Sequence, residues 1–382
     1  MNAIFGIVHL DGRPVSRPGL QAVADRMRAR PARWTHGQGG PHPPTVTIHT
    51  EGAVGLGHLS TSAVHPAVFP HRHPETGVMI TAAVSLYGRR ALASALGHPQ
   101  TPPRGDAALL TDAYLSWDAA FPVQVHGDFA LALWDPRAQT LLLSRDHLGC
   151  ASCFYARRGN TLAFASTMAG VHAAFDDLDT LDPEWIANLI TANRTDPDRT
   201  PYVHVRRVLA GHVHRETASG STRIRYWSLE AATPPTLSND REYEEALRER
   251  LTHAVRVRMP ESSHPVGCEL SGGLDSSAVT ALVAEAARAR GLPVRSFCHV
   301  FHNATRGEVW AGDDERAWAE TLRSHAGLSL HQTVSGEGYG VLDSLREAIA
   351  VYGAPADTQF GIFSDALYDR AAALGVRTLF SG

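Results

Sequence analysis

The chain has 382 residues, a formal net charge of −4 at pH 7 and a hydrophobic fraction of 43%, which suffices for two folded domains and excludes global disorder. The slightly negative net charge excludes a protein that binds nucleic acids through a generally basic surface. Four Cys are too few for a disulfide scaffold, and the sequence contains neither a signal-peptide pattern nor an apolar run of about 18 residues. We therefore expect a cytoplasmic protein with neither nucleic-acid nor membrane partners.

The first 165 residues are predicted to be mostly β-structure with a few helices. Apolar, β-branched or alternating segments predict strands, whereas the Arg-, Pro- and Gly-rich residues 28–50 predict a loop. The strands are expected at Ala3–Leu10, Val54–His58, Val78–Val84, Phe154–Tyr155 and Leu162–Ala165, with a hairpin from Phe129–Trp134 to Thr140–Ser144 and a helix over Asp106–Trp117. This pattern favours stacked β-sheets carrying a helical layer.

The pattern changes after a polar, Pro-containing stretch around Thr233–Asp240. Before it we expect a helix over 182–193 and a strand at Arg223–Trp227. After it, helices at Glu242–Val257, Ser276–Arg290 and Asp314–His325 alternate with strands at Val266–Leu270, Val294–Phe301 and Leu328–Val334. Such alternation predicts a doubly wound parallel sheet. We therefore predict an α+β domain over residues 1–230, a linker over 231–241 and an α/β domain over 242–382.

The most informative motif is Ser271-Gly-Gly-Leu-Asp-Ser-Ser277, placed between a predicted strand and an Ala-rich helix. A strand that turns through glycines into a helix directs backbone N–H groups and the positive end of the helix dipole at one point, which suits a phosphate. Asp275 would repel a bare phosphate unless Mg²⁺ lies between the two. No Lys follows the glycines, because all 35 basic residues are Arg, so the motif is not a Walker loop.

The motif resembles the pyrophosphate loop of N-type ATP pyrophosphatases, and the second domain resembles the synthetase half of the asparagine synthetase superfamily. The first part is similar to the glutaminase domain of that superfamily, an Ntn-hydrolase-like class II amidotransferase fold. The similarity rests on Met1–Ile7, His126–Asp135, Arg145–Gly149, Phe164–Ser166 and Arg225–Trp227. The second domain accordingly resembles an adenine nucleotide alpha hydrolase fold.

The glutaminase machinery of the family is missing at three places. The family's catalytic Cys is replaced by Asn2, whose carboxamide cannot act as a nucleophile. Its Arg-Gly-Pro-Asp string is replaced by Thr35–Gly40, and its Asn-Gly-Glu string by residues around Ala83–Tyr87. We therefore expect no glutamine hydrolysis and identify no catalytic residue in the chain.

The resemblance implies an ATP-dependent ligase that adenylates a substrate carboxylate, joins it to an amine and releases AMP and pyrophosphate. Its cofactors would be ATP and Mg²⁺, with Asp275 as a metal ligand. The ATP- and pyrophosphate-binding residues implied are Leu270, Ser271, Gly272, Gly273, Leu274, Asp275, Ser276, Ser277, His299, Val300, Ser381 and Gly382. The family's second carboxylate and general base would lie beyond Gly382, so the chain as given is expected to be C-terminally truncated and largely inactive.

The loss of a glutaminase favours an enzyme whose amine comes from its own substrate. The sequence most resembles a lasso peptide macrolactam cyclase, with a precursor peptide as substrate and a leader-peptide-binding or peptidase partner. Three alternatives stay open: a β-lactam synthetase, an ammonia-dependent asparagine synthetase and a non-catalytic binding module. The remaining candidate group, Cys150-Ala-Ser-Cys153, has metal-ligand spacing, but a second Cys pair is missing, so we interpret it as structural.

Overall fold

The computed structural model describes residues 2–28, 44–60, 69–98, 105–193, 196–300, 315–328, 330–336, 338, 340–353 and 358–382, with the backbone alone for 358–363. The chain divides into two compact units. The first consists mainly of residues up to Thr233, and the second mainly of residues from Pro234 onward.

The first unit is built from strands with a few helices. Its strands are β1 (Asn2–His9), β2 (Thr45–Glu51), β3 (Val54–Ser60), β4 (His71–Arg72), β5 (Met79–Leu86), β6 (Gly127–Asp135), β7 (Thr140–Arg145), β8 (Phe154–Arg158), β9 (Thr161–Ala165), β10 (Arg206–Arg207), β11 (His212–Thr217) and β12 (Gly220–Arg225). Its helices are α1 (Arg17–Arg28), α2 (Arg89–Ala95), α3 (Asp106–Trp117), α4 (Met168–His172) and α5 (Pro183–Ile190).

These strands form two antiparallel six-stranded sheets, in the orders β10-β8-β9-β1-β3-β2 and β12-β11-β7-β6-β5-β4. The inner faces of the sheets share one apolar core, to which Ile4, Leu56 and Trp134 contribute. Helices α1 and α4 pack on the outer face of the first sheet, and α2 and α3 pack on the outer face of the second. The predicted arrangement of stacked sheets with helical layers is therefore confirmed.

One local prediction for this unit was wrong. Residues 28–50 were predicted to be loop, but Thr45–Glu51 forms β2 and pairs along its length with β3. Val46 and Ile48 alternate with polar residues and pack on the sheet, and this period-two pattern was obscured by the Pro- and Gly-rich residues before it. The rest of the segment, residues 29–43, lies outside the described residues.

The second unit alternates helices and strands. Its elements in chain order are α6 (Asp240–Arg258), β13 (Val266–Glu269), α7 (Leu274–Arg288), β14 (Val294–His299), α8 (Arg316–Ala326), β15 (Leu330–Val334), α9 (Val341–Tyr352), α10 (Thr358–Ala373) and β16 (Thr378–Phe380). The four strands are all parallel, in the order β15-β14-β13-β16.

Helices cover both faces of this parallel sheet. Helices α6, α7 and α8 supply residues such as Val255, Val283 and Ala319 to the core on one face. On the other face α10 supplies Leu367 and Ala371. The doubly wound α/β fold predicted for this part of the chain is confirmed.

Among the described residues, no helix combines the length and apolar composition that crossing a bilayer would require.

Candidate functional site

The glycine loop lies at the point where the parallel sheet reverses its strand order. The chain leaves β13, adds β14 and then β15 on one side, and returns to place β16 on the other side of β13. In open α/β sheets, ligands bind in the crevice outside the carboxyl ends of the two strands that flank such a switch point. Ser271 follows β13 and Ser381 follows β16, so both predicted loops lie at this crevice.

Hydrogen bonds within the loop fix its shape. The Ser271 N–H donates to Oγ of Ser276 at 3.2 Å, and the two hydroxyl groups lie 2.8 Å apart. The Gly273 N–H donates to Oγ of Ser271 at 3.2 Å. Ser276 is buried, so its hydroxyl stabilises the loop conformation from beneath the surface.

The N-terminus of α7 presents backbone donors at the crevice. The helix begins at Leu274, two residues before its predicted start, and its N-cap Gly273 has no side chain to cap the first amides. Among the described residues, none accepts a hydrogen bond from the N–H of Gly272, Leu274, Asp275 or Ser276. Free amides at a helix N-terminus form an anion-binding arrangement.

Two glycines let neighbouring segments approach this helix end. Gly272 has a φ of +91°, and a Cβ built there would lie 2.6 Å from Cβ of Trp318 and 2.9 Å from the Ala319 nitrogen. A Cβ on Gly382 would lie 2.3 Å from the Ser276 nitrogen. The backbone therefore closes around the loop at distances that only glycine permits.

Asp275 lies in the first turn of α7 with an exposed side chain, and Leu274 beside it is 90% exposed. Ser277 is half-buried and its N–H donates to the Gly273 carbonyl within the helix. A carboxylate on the surface beside free amides fits a phosphate group carrying Mg²⁺, because the metal would take the carboxylate while the amides take phosphate oxygens. The residues present therefore fit magnesium-bound pyrophosphate.

The residues expected at the adenine side lie one strand further along the sheet. His299 ends β14 and is exposed, whereas Val300 is buried. The Val300 N–H donates to the Val334 carbonyl at 2.9 Å. Because the Val300 N–H is already used in this bond, it is not available to a ligand. An adenine ring at this edge would contact the His299 side chain and the Val300 carbonyl instead.

Sequence reasoning missed Glu269, the last residue of β13. Its carboxyl group is hydrogen-bonded to Ser381, and burial raises its pKa. This contact joins the two strand ends that flank the crevice. The signal was a charged residue at the end of the short apolar strand Val266–Glu269.

Because Gly272 needs both a positive φ and close packing, we expect Gly272→Ala to destabilise the second unit by about 1–3 kcal/mol and to weaken nucleotide binding. Chemical denaturation followed by the fluorescence of Trp318 would measure the loss. Gly291→Ala is a matched control for the φ contribution, since Gly291 has a φ of +66° with nothing near its Cβ position. An equal loss in both variants would show that the contact with Trp318 contributes nothing.

In the first unit, Asn2 begins β1, where the resemblance places a catalytic Cys. Its Oδ1 atom is buried and has no hydrogen-bond partner among the described residues. The replacement string Thr35–Gly40 lies outside the described residues. The replacement around Ala83–Tyr87 lies in and just after β5, and the Tyr87 hydroxyl donates to Asp128.

The string Arg145–Gly149 serves a structural purpose. The Asp146 carboxylate accepts hydrogen bonds from the N–H groups of Phe129, Leu148, Cys150 and Ala151 at 2.9–3.3 Å. The Arg145 guanidinium donates to the carbonyls of three residues: Ala151, Val208 and Gly149. At the end of β7, these two side chains therefore form hydrogen bonds with backbone N–H and C=O groups of the neighbouring segments.

The Cys pair lies beside this structure. Asp128, Asp146 and Cys150 bring their side-chain donor atoms within 4.8 Å of one another. The Asp146 oxygens are already engaged by backbone amides. Partial burial of the sulfur, together with the Asp146 and Asp128 carboxylates, raises the pKa of the Cys150 thiol to about 11, and complete burial raises that of Cys153 to about 12. Protonated thiols are poor metal ligands, which favours the structural interpretation.

Two buried histidines make the first unit sensitive to acid. His58 and His214 are 2% and 1% exposed, and burial lowers the pKa of each to about 4. Because the folded-state pKa lies below the ordinary value of 6.5, the stability that each contributes is complete above pH 6.5 and is lost as the pH falls towards 4. We expect a loss of about 3 kcal/mol per histidine over this range.

Denaturation of the chain at a series of pH values, with His214→Gln and the exposed, non-titrating control Asn160→Gln, would measure this effect. His214→Gln should flatten the dependence on pH between 6.5 and 4, whereas Asn160→Gln should not. Identical slopes in the parent chain and His214→Gln would contradict the prediction.

Comparison with known proteins gives a family assignment to each half of the chain. The model of the glutamine amidotransferase domain matches residues 22–227, and the model of asparagine synthase matches residues 246–382. The curated protein "Amidase chyE" of Penicillium rubens is 26% identical over 348 residues, which cover 86% of this chain and 50% of the relative.

Asparagine synthetase [glutamine-hydrolyzing] 3 of Bacillus subtilis is 26% identical over 275 residues, covering 68% of this chain and 42% of its own length. This chain spans about half the length of the curated relatives it matches. A solved glutamine phosphoribosylpyrophosphate amidotransferase of B. subtilis aligns with 90% of this chain and 92% of its own at 11% identity, with a TM-score of 0.41, too low to establish a shared fold.

Proposed function

This chain belongs to the asparagine synthetase superfamily, with a glutamine amidotransferase domain followed by an asparagine synthase domain, and from that premise we propose that it is part of an ATP-dependent ligase that forms an amide bond. The observation that carries the proposal is the set of free amides at the N-terminus of α7, placed with Asp275 at the switch point of the parallel sheet. An anion site at that position is where such sheets bind their ligands.

Each part of the loop has a distinct task in this proposal. The amides of Gly272, Leu274 and Asp275 bind the oxygens of the pyrophosphate group, and the Asp275 carboxylate holds its Mg²⁺. The Ser271–Ser276 pair keeps the amides in place, so that little reorganisation is needed when charge develops on the leaving group. When bound, MgATP supplies the activated phosphorus that turns a carboxylate into a good acyl donor.

The other edge residues orient the rest of the nucleotide. His299 and the Val300 carbonyl lie at the carboxyl end of β14, beside the strand that leads into the glycine loop. Glu269 and Ser381 hold the ends of β13 and β16 together, which keeps Gly382 against the first turn of α7. In such ligases, holding the activated carboxylate close to the attacking amine supplies much of the rate acceleration.

We propose further that the amine comes from the same substrate as the carboxylate, as in lasso peptide macrolactam cyclisation. Three features support this: Asn2 replaces the glutaminase nucleophile, the usual glutamine-binding strings are replaced, and the opening Asp11–Val15 resembles lasso cyclases. The substrate would be a precursor peptide, delivered with a leader-peptide-binding or peptidase partner. An ammonia-dependent asparagine synthetase, a β-lactam synthetase and a non-catalytic binding module are the alternatives.

The experiment compares pyrophosphate and AMP release by the protein that carries this chain with different substrates. We expect turnover with a peptide that bears a free N-terminal amine and an acidic side chain, and none with aspartate plus ammonium. Turnover with aspartate plus ammonium alone would replace cyclisation by asparagine synthesis. Release of neither product with any substrate, despite MgATP binding, would favour the binding module.

Because a carboxamide cannot attack glutamine, we expect no glutamate release when the protein is incubated with glutamine. A coupled glutamate assay at high protein concentration would measure it, with a protein-free blank as the background and Asn2→Ala as the control variant. Release above the blank that is equal in both proteins would mean that a nucleophile other than residue 2 operates. Release that Asn2→Ala abolishes would contradict the prediction.

A further inference from the structure

The core between the two sheets of the first unit is apolar along most of its length but ends in a polar pair. On β3, Leu56 faces this core and His58 follows on the same face, two residues along. On the neighbouring strand β1, Ile4 faces the core, and Asn2 ends that row. The core-facing residues next to them on each strand, Ile4 and Leu56, are apolar.

The register of the strands brings the two polar side chains together. Ile4 pairs with His58, and Asn2 pairs with Ser60, in an antiparallel ladder. Asn2 and His58 are therefore diagonal neighbours on one face, with Cα atoms about 7–8 Å apart. Side chains at that spacing can share a single small molecule between their tips.

Both tips carry a buried polar atom without a partner. Among the described residues, neither Oδ1 of Asn2 nor Nε2 of His58 has a hydrogen-bond partner. His58 is 2% exposed, and its ring donates to the backbone carbonyl of Ala82. Since Nε2 is the unpartnered nitrogen, that donated proton is on Nδ1. At neutral pH the buried ring is uncharged, so Nε2 presents a lone pair.

A buried acceptor without a donor costs about 1–3 kcal/mol, and here two such acceptors belong to diagonal neighbours on one face of the sheet. We propose that Asn2 and His58 bind one small molecule with two hydrogen-bond donors, either water or ammonia, at the end of the inter-sheet core. The site depends only on the first unit and is independent of the proposed ligase activity.

The test is ¹⁵N NMR of the chain labelled at histidine. We expect the Nε2 resonance of His58 to have the shift of a neutral nitrogen that accepts a hydrogen bond. In Asn2→Leu, which removes one acceptor, it should move towards the shift of a free lone pair. Asn2→Gln, which keeps a neutral carboxamide acceptor, should retain the parent shift, and so should the exposed-site control Asn160→Leu.

Two further arms identify the bound molecule. A saturable change of the His58 signal with ammonium chloride at pH 9, but not with sodium chloride, would assign ammonia. A cross-relaxation peak between the His58 ring protons and water, with no response to ammonium, would assign water. The proposal is overturned if the parent Nε2 has a free lone pair, if Asn2→Leu leaves its shift unchanged, or if the Asn2 amide donates directly to it. The parent measurement decides even where a variant does not fold.

Discussion

Replacing Asp275 by Asn is expected to reduce MgATP-dependent pyrophosphate release about 10³-fold in the protein that carries this chain. The side chain is exposed in the first turn of α7, beside amides that have no acceptor among the described residues. Asparagine keeps the size of the side chain and its hydrogen-bonding capacity but removes the charge that would hold Mg²⁺. The loss should therefore be in turnover, with the stability of the unit unchanged.

The matched control is Asp343→Asn in α9 of the same unit. Asp343 is exposed and forms an ion pair with Arg346 one turn away, a pair of a type that contributes little to stability. It should leave pyrophosphate release unchanged. Unchanged release in Asp275→Asn as well would refute a metal-binding role for Asp275.

Replacing Asp146 by Ala is expected to destabilise the first unit by about 4 kcal/mol. The substitution leaves four backbone N–H groups without their acceptor at the end of β7, and Asp146 is only 2% exposed. It also leaves the buried Arg145 without its neighbouring negative charge. Denaturation followed by tryptophan fluorescence of the first unit would measure the change.

The control for this prediction is Asp11→Ala. Asp11 forms a surface ion pair with Arg13 at 2.8 Å, so its removal should change the stability of the first unit very little. An equally small loss of stability in Asp146→Ala would contradict the structural interpretation of Arg145–Gly149. It would favour a metal-binding role for Asp146 and Cys150 instead.

The elements that the sequence predicted well are those with a strong period or a clear end. Asp106–Trp117 was predicted as a helix with these bounds, because its apolar residues recur at helical spacing. The hairpin from β6 to β7 followed from two apolar runs around Asp135-Pro136. The β2 strand was missed because the Pro- and Gly-rich residues that precede it obscure its alternation of apolar and polar residues.

The candidate site was predicted in part. A strand, two glycines and a helix suffice to predict an anion cradle, since backbone amides need no particular side chains. The sequence could not place Gly382 against Ser276, because that contact depends on the return of β16 beside β13. The same return brings Ser381 to Glu269. These two residues are 112 positions apart in the sequence, so the sequence alone did not reveal a partner for Glu269.

The loop at the N-terminus of α7 can be tested directly by adding magnesium pyrophosphate to the chain and following backbone amide shifts by NMR. We expect saturable changes at Gly272, Leu274 and Asp275, strongly reduced in Asp275→Asn. Saturable binding that moves amides elsewhere, or no response at these three residues, would contradict the assignment of the nucleotide site.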